Sequence, residues 1–316
     1  MPDTAECLAS VNCAAGQSAQ DDVGNAMITA ATKSALPPLA VTGATGAIGG
    51  QVARILADAG MAQRLLVRNL ANAPHLPRST AASCSYGDHA AASEALSGVD
   101  LLFMVSASES ADRLDQHRTF IDAAASAGVG HIIYTSFMGA APDAVFTLAR
   151  DHYFTEEYIK ASGMGFTFLR DNFYIDFLTG LPGEDGVIRG PAGDGRVAAV
   201  ARADVARVVA AVLQDPGRHR GITYDLTGPE ALDFFTIADI LGAHTGMSIS
   251  YHNETIAEAY ESRKKWDAPG WQYDAWVSTY TAIATGTLAA ITGHVETITG
   301  QHPMTLAQYL SHQTPD

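Results

Sequence analysis

The segment Gly43-Ala44-Thr45-Gly46-Ala47-Ile48-Gly49 constrains this chain more than any other. It follows a short apolar run, Leu39–Thr42, and leads into Ile48, Val52, Ile55, Leu56 and Ala59 at helical spacing. Each glycine has a physical task. Gly43 permits a sharp turn out of the strand, Gly46 lets backbone approach a bulky group without an intervening Cβ, and Gly49 lets the helix pack closely on the strand. The helix start then offers unpaired N–H groups and the positive end of its dipole to an anion. Gly60 closes the helix at the C′ position.

Further strand-like runs follow at Arg64–Val67, Ser83–Tyr86, Leu101–Val105, His131–Thr135 and Phe166–Leu169, with helical stretches around 112–127 and 147–162. Continuous apolar strands separated by amphipathic helices predict a parallel sheet buried on both faces. Right-handed crossovers then give an α/β, doubly wound parallel Rossmann sheet. Residues 1–36 are rich in Ala, Ser, Asn, Gln and Asp without a period, and are read as a disordered extension. Residues 37–172 form the dinucleotide-binding core. From 173 to 316 the pattern loosens. Turn clusters stand at 182–186 and 190–195, strand-like runs at Ile222–Leu226 and Ile249–Tyr251, and helices on Val205–Leu213, Phe235–Leu241 and between Trp271 and Leu310. This half is expected to be a small C-terminal α/β lobe, mainly substrate lobe and lid, interleaved with the core at the carboxyl edge of the sheet.

Strand, glycine triplet and helix in this order predict dinucleotide binding, with Thr45, Ala47 and Ile48 completing the loop. The second strand selects the cofactor. A carboxylate at its end would hold the ribose hydroxyls of NAD, but this chain has Arg68-Asn69 there. A guanidinium holds a 2′-phosphate, so NADPH is expected over NADH. Arg64 and Arg78 are candidates to assist. Asp88 either accepts from the adenine amino group or caps the helix starting at His89. Ser106 and Ala107, small residues ending the fourth strand, are expected to pass beneath the cofactor.

Nineteen basic residues against 34 acidic ones leave a formal charge of −15, which disfavours nucleic acid and anionic membrane as partners. Three cysteines, with no CxxC, exclude a disulfide framework and a zinc site. No apolar run reaches membrane-spanning length, and the amino end has neither the basic stretch nor the apolar core of a secretory signal. A cytoplasmic enzyme of small molecules is the expectation, with no metal.

The runs V-T-G-A-T-G-A-I-G-G at 41–50, L-V-R-N at 66–69, Y-G-D at 86–88, H-I-I-Y-T-S at 131–136, F-T-F-L-R-D-N-F-Y at 166–174 and P-A-G-D-G-R at 191–196 together resemble the NmrA-like branch of the atypical short-chain dehydrogenases/reductases. Their pattern is similar to that of type-2 NAD(P)H:quinone oxidoreductases and triphenylmethane-dye reductases. The resemblance covers nearly everything after residue 37. It implies NADPH at Gly43, Gly46, Gly49 and Arg68, a substrate pocket near Ser136, His152 and Asn172–Tyr174, and a homodimer.

Ordinary short-chain enzymes use a serine with Tyr-x-x-x-Lys, where lysine lowers the tyrosine pKa. Ser136 stands at the serine position and Tyr153 at a plausible tyrosine position, but Glu157 replaces the lysine and Lys160 lies seven residues on. A carboxylate would raise the tyrosine pKa. Ser136, His152 and Tyr153 are the candidate catalytic residues, with His152 as proton donor or orienting group. Phe137, His152, Asn172, Phe173 and Tyr174 are the candidate substrate contacts. The expected activity is NADPH-dependent hydride transfer to a quinone, dye or other electron-poor aromatic. The alternative is a non-catalytic NAD(P)-binding redox sensor acting through a protein partner.

Overall fold

The computed structural model describes residues 38–313. The extension expected at 1–36, with Cys7 and Cys13, lies outside the described residues. Chain order is β1 (Leu39–Thr42), α1 (Ala47–Asp58), β2 (Gln63–Val67), β3 (Ser79–Ser83), α2 (His89–Leu96), β4 (Leu101–Met104), α3 (Arg113–Ser126), β5 (His131–Phe137), α4 (Thr147–Ala161) and β6 (Gly165–Asp171). Then come α5 (Ile175–Leu178), β7 (Val187–Gly190), α6 (Arg202–Gln214), β8 (Ile222–Leu226), α7 (Phe234–Thr245), β9 (Ser250–Asn253), α8 (Ile256–Arg263), α9 (Gly270–Ala284), α10 (His294–Thr299) and α11 (Leu306–Ser311).

Seven strands make one wholly parallel sheet in the order β3-β2-β1-β4-β5-β6-β8. The winding reverses between β1 and β4, which opens a crevice beyond their carboxyl ends. Side chains alternate between the two faces. Val41, Phe103 and Leu169 pack with α1 and α6, whereas Ala40, Leu102, Met104, Tyr134 and Phe168 pack with α2, α3 and α4. Helix α1 ends as expected: Gly60 takes a left-handed φ of 73°, its N–H bonds to Ala57 O, and Met61 N–H bonds to Leu56 O.

The third strand is displaced from its expected place. It runs over Ser79–Ser83, in register with β2 from Gln63↔Ser79 to Val67↔Ser83. An edge strand with half-exposed side chains needs no apolar run, so Ser-Thr-Ala-Ala-Ser is legible only through its ladder. The apolar signal at Cys84 marks core beyond the strand end. Burial pushes its thiol up to about 12, which makes it an inert packing residue.

Residues after 172 serve two layers. Elements β8, α6 and α10 join the main sheet, while β7 and β9 form a separate parallel pair with α5, α7, α8, α9 and α11 around it. The glycine-rich stretch at 182–186 hid β7 from the sequence reading.

Candidate active site

The turn after β1 is built by backbone. Gly43 sits at φ +63°, and its carbonyl accepts from Gly46 N–H at 2.8 Å. A Cβ on Gly49 would lie 2.4 Å from Gly43 O and 2.5 Å from Thr42 O, so only glycine brings α1 this close to β1. Gly46 caps α1 with no side-chain bond, and the first turn holds no acidic residue. The N–H groups of Ala47, Ile48 and Gly49 therefore face no competing anion, which suits a pyrophosphate. Thr45 and Ala47 are exposed, whereas the Ile48 side chain turns into the core.

Arg68 is exposed at the end of β2, without a hydrogen bond or ion pair among the described residues, and is free to take a phosphate. The two expected helpers differ: Arg64 is enclosed, whereas Arg78 is exposed with one bond. Arg64 is buried and donates to Ala95 O at 2.6 Å and Ser97 O at 2.9 Å, and Arg78 donates to Gly60 O at 2.9 Å. Asp88 caps α2, its Oδ1 accepting from Ala91 N–H at 3.0 Å.

Polar bonds fix the end of β4 from three sides. Val105 N–H donates to Thr42 Oγ1 at 2.8 Å, and the Tyr86 hydroxyl donates to Val105 O at 2.6 Å. Ser106 N–H donates to Thr135 Oγ1 at 2.8 Å. Ala107 is held by both backbone groups: its N–H donates to His117 Nε2 at 2.9 Å and its carbonyl accepts from Arg113 Nε at 2.9 Å. Because the amide must donate, His117 Nε2 is bare and Nδ1 carries the proton, given to Thr155 Oγ1 at 2.8 Å. Burial, then the Arg113 charge, push the His117 pKa down to about 3.

The same arginine controls His152. Its Nη2 meets His152 Nε2 at 3.0 Å, and His152 Nδ1 meets the Tyr134 hydroxyl at 2.9 Å. A guanidinium only donates, so His152 Nε2 accepts and Nδ1–H points at Tyr134. Burial and then Arg113 hold the imidazole well below its ordinary pKa. His152 is thus neutral with both nitrogens engaged inside the protein. The expected role of proton donor does not fit this geometry, and a positioning role does.

Ser136 and Tyr153 do not meet. The buried stripe of α4 is Ala149, His152, Thr155, Glu156 and Ile159, at the spacing of one helix face, and Tyr153, Glu157 and Lys160 lie off it. Lys160 pairs with Glu157 at 2.7 Å near the surface. The Tyr153 ring packs edge-on against Phe154. The Ser136 hydroxyl donates to buried Glu156 at 2.6 Å, and Arg170 clamps that carboxylate with Nε at 2.8 Å and Nη2 at 2.6 Å. Tyr153 stands half-buried at the edge of the stripe, and no hydrogen bond links it to Ser136 among the described residues.

Of the expected substrate contacts, the structure brings Phe137 and Phe173 together, with ring centroids 5.0 Å apart. Phe146, absent from the sequence reading, completes the cluster at 4.8 Å from Phe137 and 5.3 Å from Phe173, and His152 edges it at 6.2 Å from Phe137. Asn172 and Tyr174 are used elsewhere. The Asn172 amide donates to Leu288 O at 2.9 Å and its Oδ1 accepts from Phe173 N–H, so it pins the carboxyl-terminal segment. Tyr174 turns to the opposite core, donates to Asp171 at 2.8 Å and lies under the Arg202 guanidinium. Arg113, Glu156 and Arg170 were missed as well. Their one signal is charge on faces that are otherwise apolar. No group of His, Cys, Asp and Glu able to hold a metal occurs among the described residues.

Residues 43–216 match a family model described as NAD(P)H-binding. Quinone oxidoreductase 2 of Escherichia coli K12 is 34% identical over 281 residues, which cover 87% of this chain and 98% of that protein. The chain belongs to the NAD(P)H-binding family, in its NmrA-like, atypical short-chain dehydrogenase/reductase branch. The Escherichia coli quinone oxidoreductase complexed with NADPH superposes on this NmrA-like chain with a TM-score of 0.79, at 33% identity, over 87% of this chain and 99% of the other. Citrobacter sp. triphenylmethane reductase complexed with NADP(H) gives 0.78 at 28% identity, over 86% and 99%. The NAD(P)H azoreductase of Xenophilus azovorans is 30% identical over 275 residues, 85% of this chain and 95% of that protein.

Proposed function

We propose that this chain is an NADPH-dependent oxidoreductase that passes hydride to quinones, dyes and other electron-poor aromatic acceptors. The observation that carries this reading is a contrast between neighbouring residues at the end of β5. The Ser136 hydroxyl is spent on Glu156 and no Tyr–Lys pair is bonded to it, while the next residue, Phe137, gathers with Phe146 and Phe173. A carbonyl needs a proton for the developing alkoxide, but an electron-poor ring system accepts hydride with little proton assistance. Alignment of a flat acceptor is then the principal demand on the protein. The names of the relatives, a quinone oxidoreductase, an azoreductase and a triphenylmethane reductase, support the acceptor class.

NADPH, when bound, supplies the hydride. In this reading the first turn of α1, from Gly46 to Gly49, holds the pyrophosphate, and Arg68 holds the 2′-phosphate. The free oxygen of Asp88 faces the adenine. Ser106 and Ala107 form the floor, kept rigid by Thr135, His117 and Arg113. His152 steadies Arg113, and Phe137, Phe146 and Phe173 seat the acceptor. The protein acts in the cytoplasm as a homodimer. Its excess of acidic residues fits small-molecule substrates rather than nucleic acid, and no helix among the described residues is long and apolar enough to cross a membrane.

The test is the fall in NADPH absorbance with purified protein and a panel of quinones, dyes and aldehydes. Turnover confined to quinones and dyes is expected. Efficient aldehyde reduction would refute the acceptor assignment, and NADPH binding without any turnover would leave a redox sensor in its place.

A further inference from the structure

The small lobe contains a cavity of about 430 Å³ between the segment after α5, the end of α8 and the face of α9. Phe177, Trp266, Trp276 and Tyr280 give part of its lining an aromatic character. Trp266 and Trp276 stand 5.9 Å apart at 75°, and Tyr280 forms part of the floor. Trp266 is 51% exposed and Phe177, at the rim, 46%. Two large apolar side chains are left in water at the mouth of a concave site, where a flat ligand would cover them.

The charge of this cavity runs against that of the chain. Formal charge overall is −15, yet the lining includes Arg189, Arg263 and Lys265 and no carboxylate. Two of the three are compensated from outside the lining. Arg189 pairs with Asp185 at 2.6 Å, and Arg263 with Glu254 at 3.0 Å. Lys265 has no ion pair among the described residues, and its Nζ lies 4.2 Å from the Trp266 ring centroid. The cation is therefore held over the aromatic wall with its remaining donors open.

We propose that this cavity binds planar arenes carrying a carboxylate or sulfonate, with the ring among Trp266, Trp276 and Tyr280 and the anion on Lys265. The volume suits a two- or three-ring system. The site does not depend on the hydride chemistry proposed above.

The test is calorimetric titration of the full chain with naphthalenesulfonate and with the neutral naphthalenemethanol, in the absence and presence of saturating NADPH. The sulfonate is expected to bind roughly tenfold more tightly than the alcohol, as for one partly exposed charge-assisted contact. Lys265→Met, which keeps an unbranched side chain against Trp266, should abolish that preference and leave the alcohol unaffected. Thr279→Phe, which fills the cavity, should weaken both. Equal affinity of the wild-type protein for the two probes would overturn the proposal. So would a Lys265→Met preference equal to wild type, or displacement of both probes by NADPH. Quinone turnover is read separately, so loss of either reading leaves the other standing.

Discussion

Replacing Gly49 by alanine tests whether the close approach of α1 to β1 builds the cofactor site. The new Cβ would lie 2.4 Å from Gly43 O, 2.5 Å from Thr42 O and 2.6 Å from Gly43 C, all backbone atoms that cannot swing aside. Ordinary contact begins at 3.4 Å, so helix and loop must separate by about 1 Å, an overpacking that costs about 1–3 kcal/mol. The Gly43 carbonyl also anchors Gly46 N–H, so the displacement passes into the turn that presents the α1 amides. Thermal unfolding and NADPH titration should therefore both suffer, with affinity falling roughly tenfold to a hundredfold. Gly46→Ala is the control. Its Cβ meets nothing nearer than 3.3 Å, and its φ of −94° is open to alanine. Melting should stay close to wild type while NADPH binding weakens, because the methyl group occupies the approach of the phosphates. A Gly49→Ala protein with wild-type melting and wild-type NADPH affinity would refute the reasoning.

Two more perturbations follow from the geometry. Arg68→Ala should cost NADPH about 1.5–3 kcal/mol of binding, the scale of hydrogen bonds to a charged group, and leave NADH unchanged, and equal losses in the two titrations would exclude Arg68 from the 2′-phosphate. Asp171 is buried with Oδ1 unpartnered, and burial raises its carboxyl from 3.8 to about 8, against the smaller opposing effect of the Tyr174 hydroxyl. Between those two values the folded chain holds a proton that the unfolded chain has released, so this group removes stability as pH rises through the window. Asp171→Asn should flatten that part of the profile and gain on wild type towards the upper end. Parallel denaturation curves for the two proteins across the window would show that Asp171 is ionised in the fold.

The parts of this molecule that were legible in the sequence are those with a local physical signature. Gly43 and Gly60 announce turns through their own conformational freedom, Gly49 announces packing, and the apolar runs of β1, β4 and β5 announce a sheet covered on both faces. Strand β3 carried no such mark, because an edge strand has little to bury. Strand β7 lay among glycines and turn residues that dominate any local reading.

The catalytic end was less legible for a different reason, and α4 shows it. Tyr153 and Glu157 stand at the spacing of a familiar motif, and spacing alone places them on one side of a helix without saying which side faces the sheet. The buried stripe through Ala149, His152, Glu156 and Ile159 decides that question: it leaves Tyr153 half-buried at its edge and Glu157 exposed. What faces the sheet is a pair of polar networks whose members come from separate elements: Ser136 from β5, Glu156 from α4 and Arg170 from β6 in one, and Tyr134 from β5, His152 from α4 and Arg113 and His117 from α3 in the other. Such a network obeys satisfaction of buried hydrogen bonds, a condition on three-dimensional neighbours rather than on sequence neighbours. It also explains how neutral histidines persist beside Arg113. Each histidine is buried, and each offers a bare Nε2 to a donor that cannot be withdrawn, the Ala107 amide for His117 and the Arg113 guanidinium for His152. Protonating either ring would set donor against donor. The backbone of Ala107 is thereby fixed through two histidines and one arginine, and the floor of the proposed cofactor site is held by bonds within the protein itself.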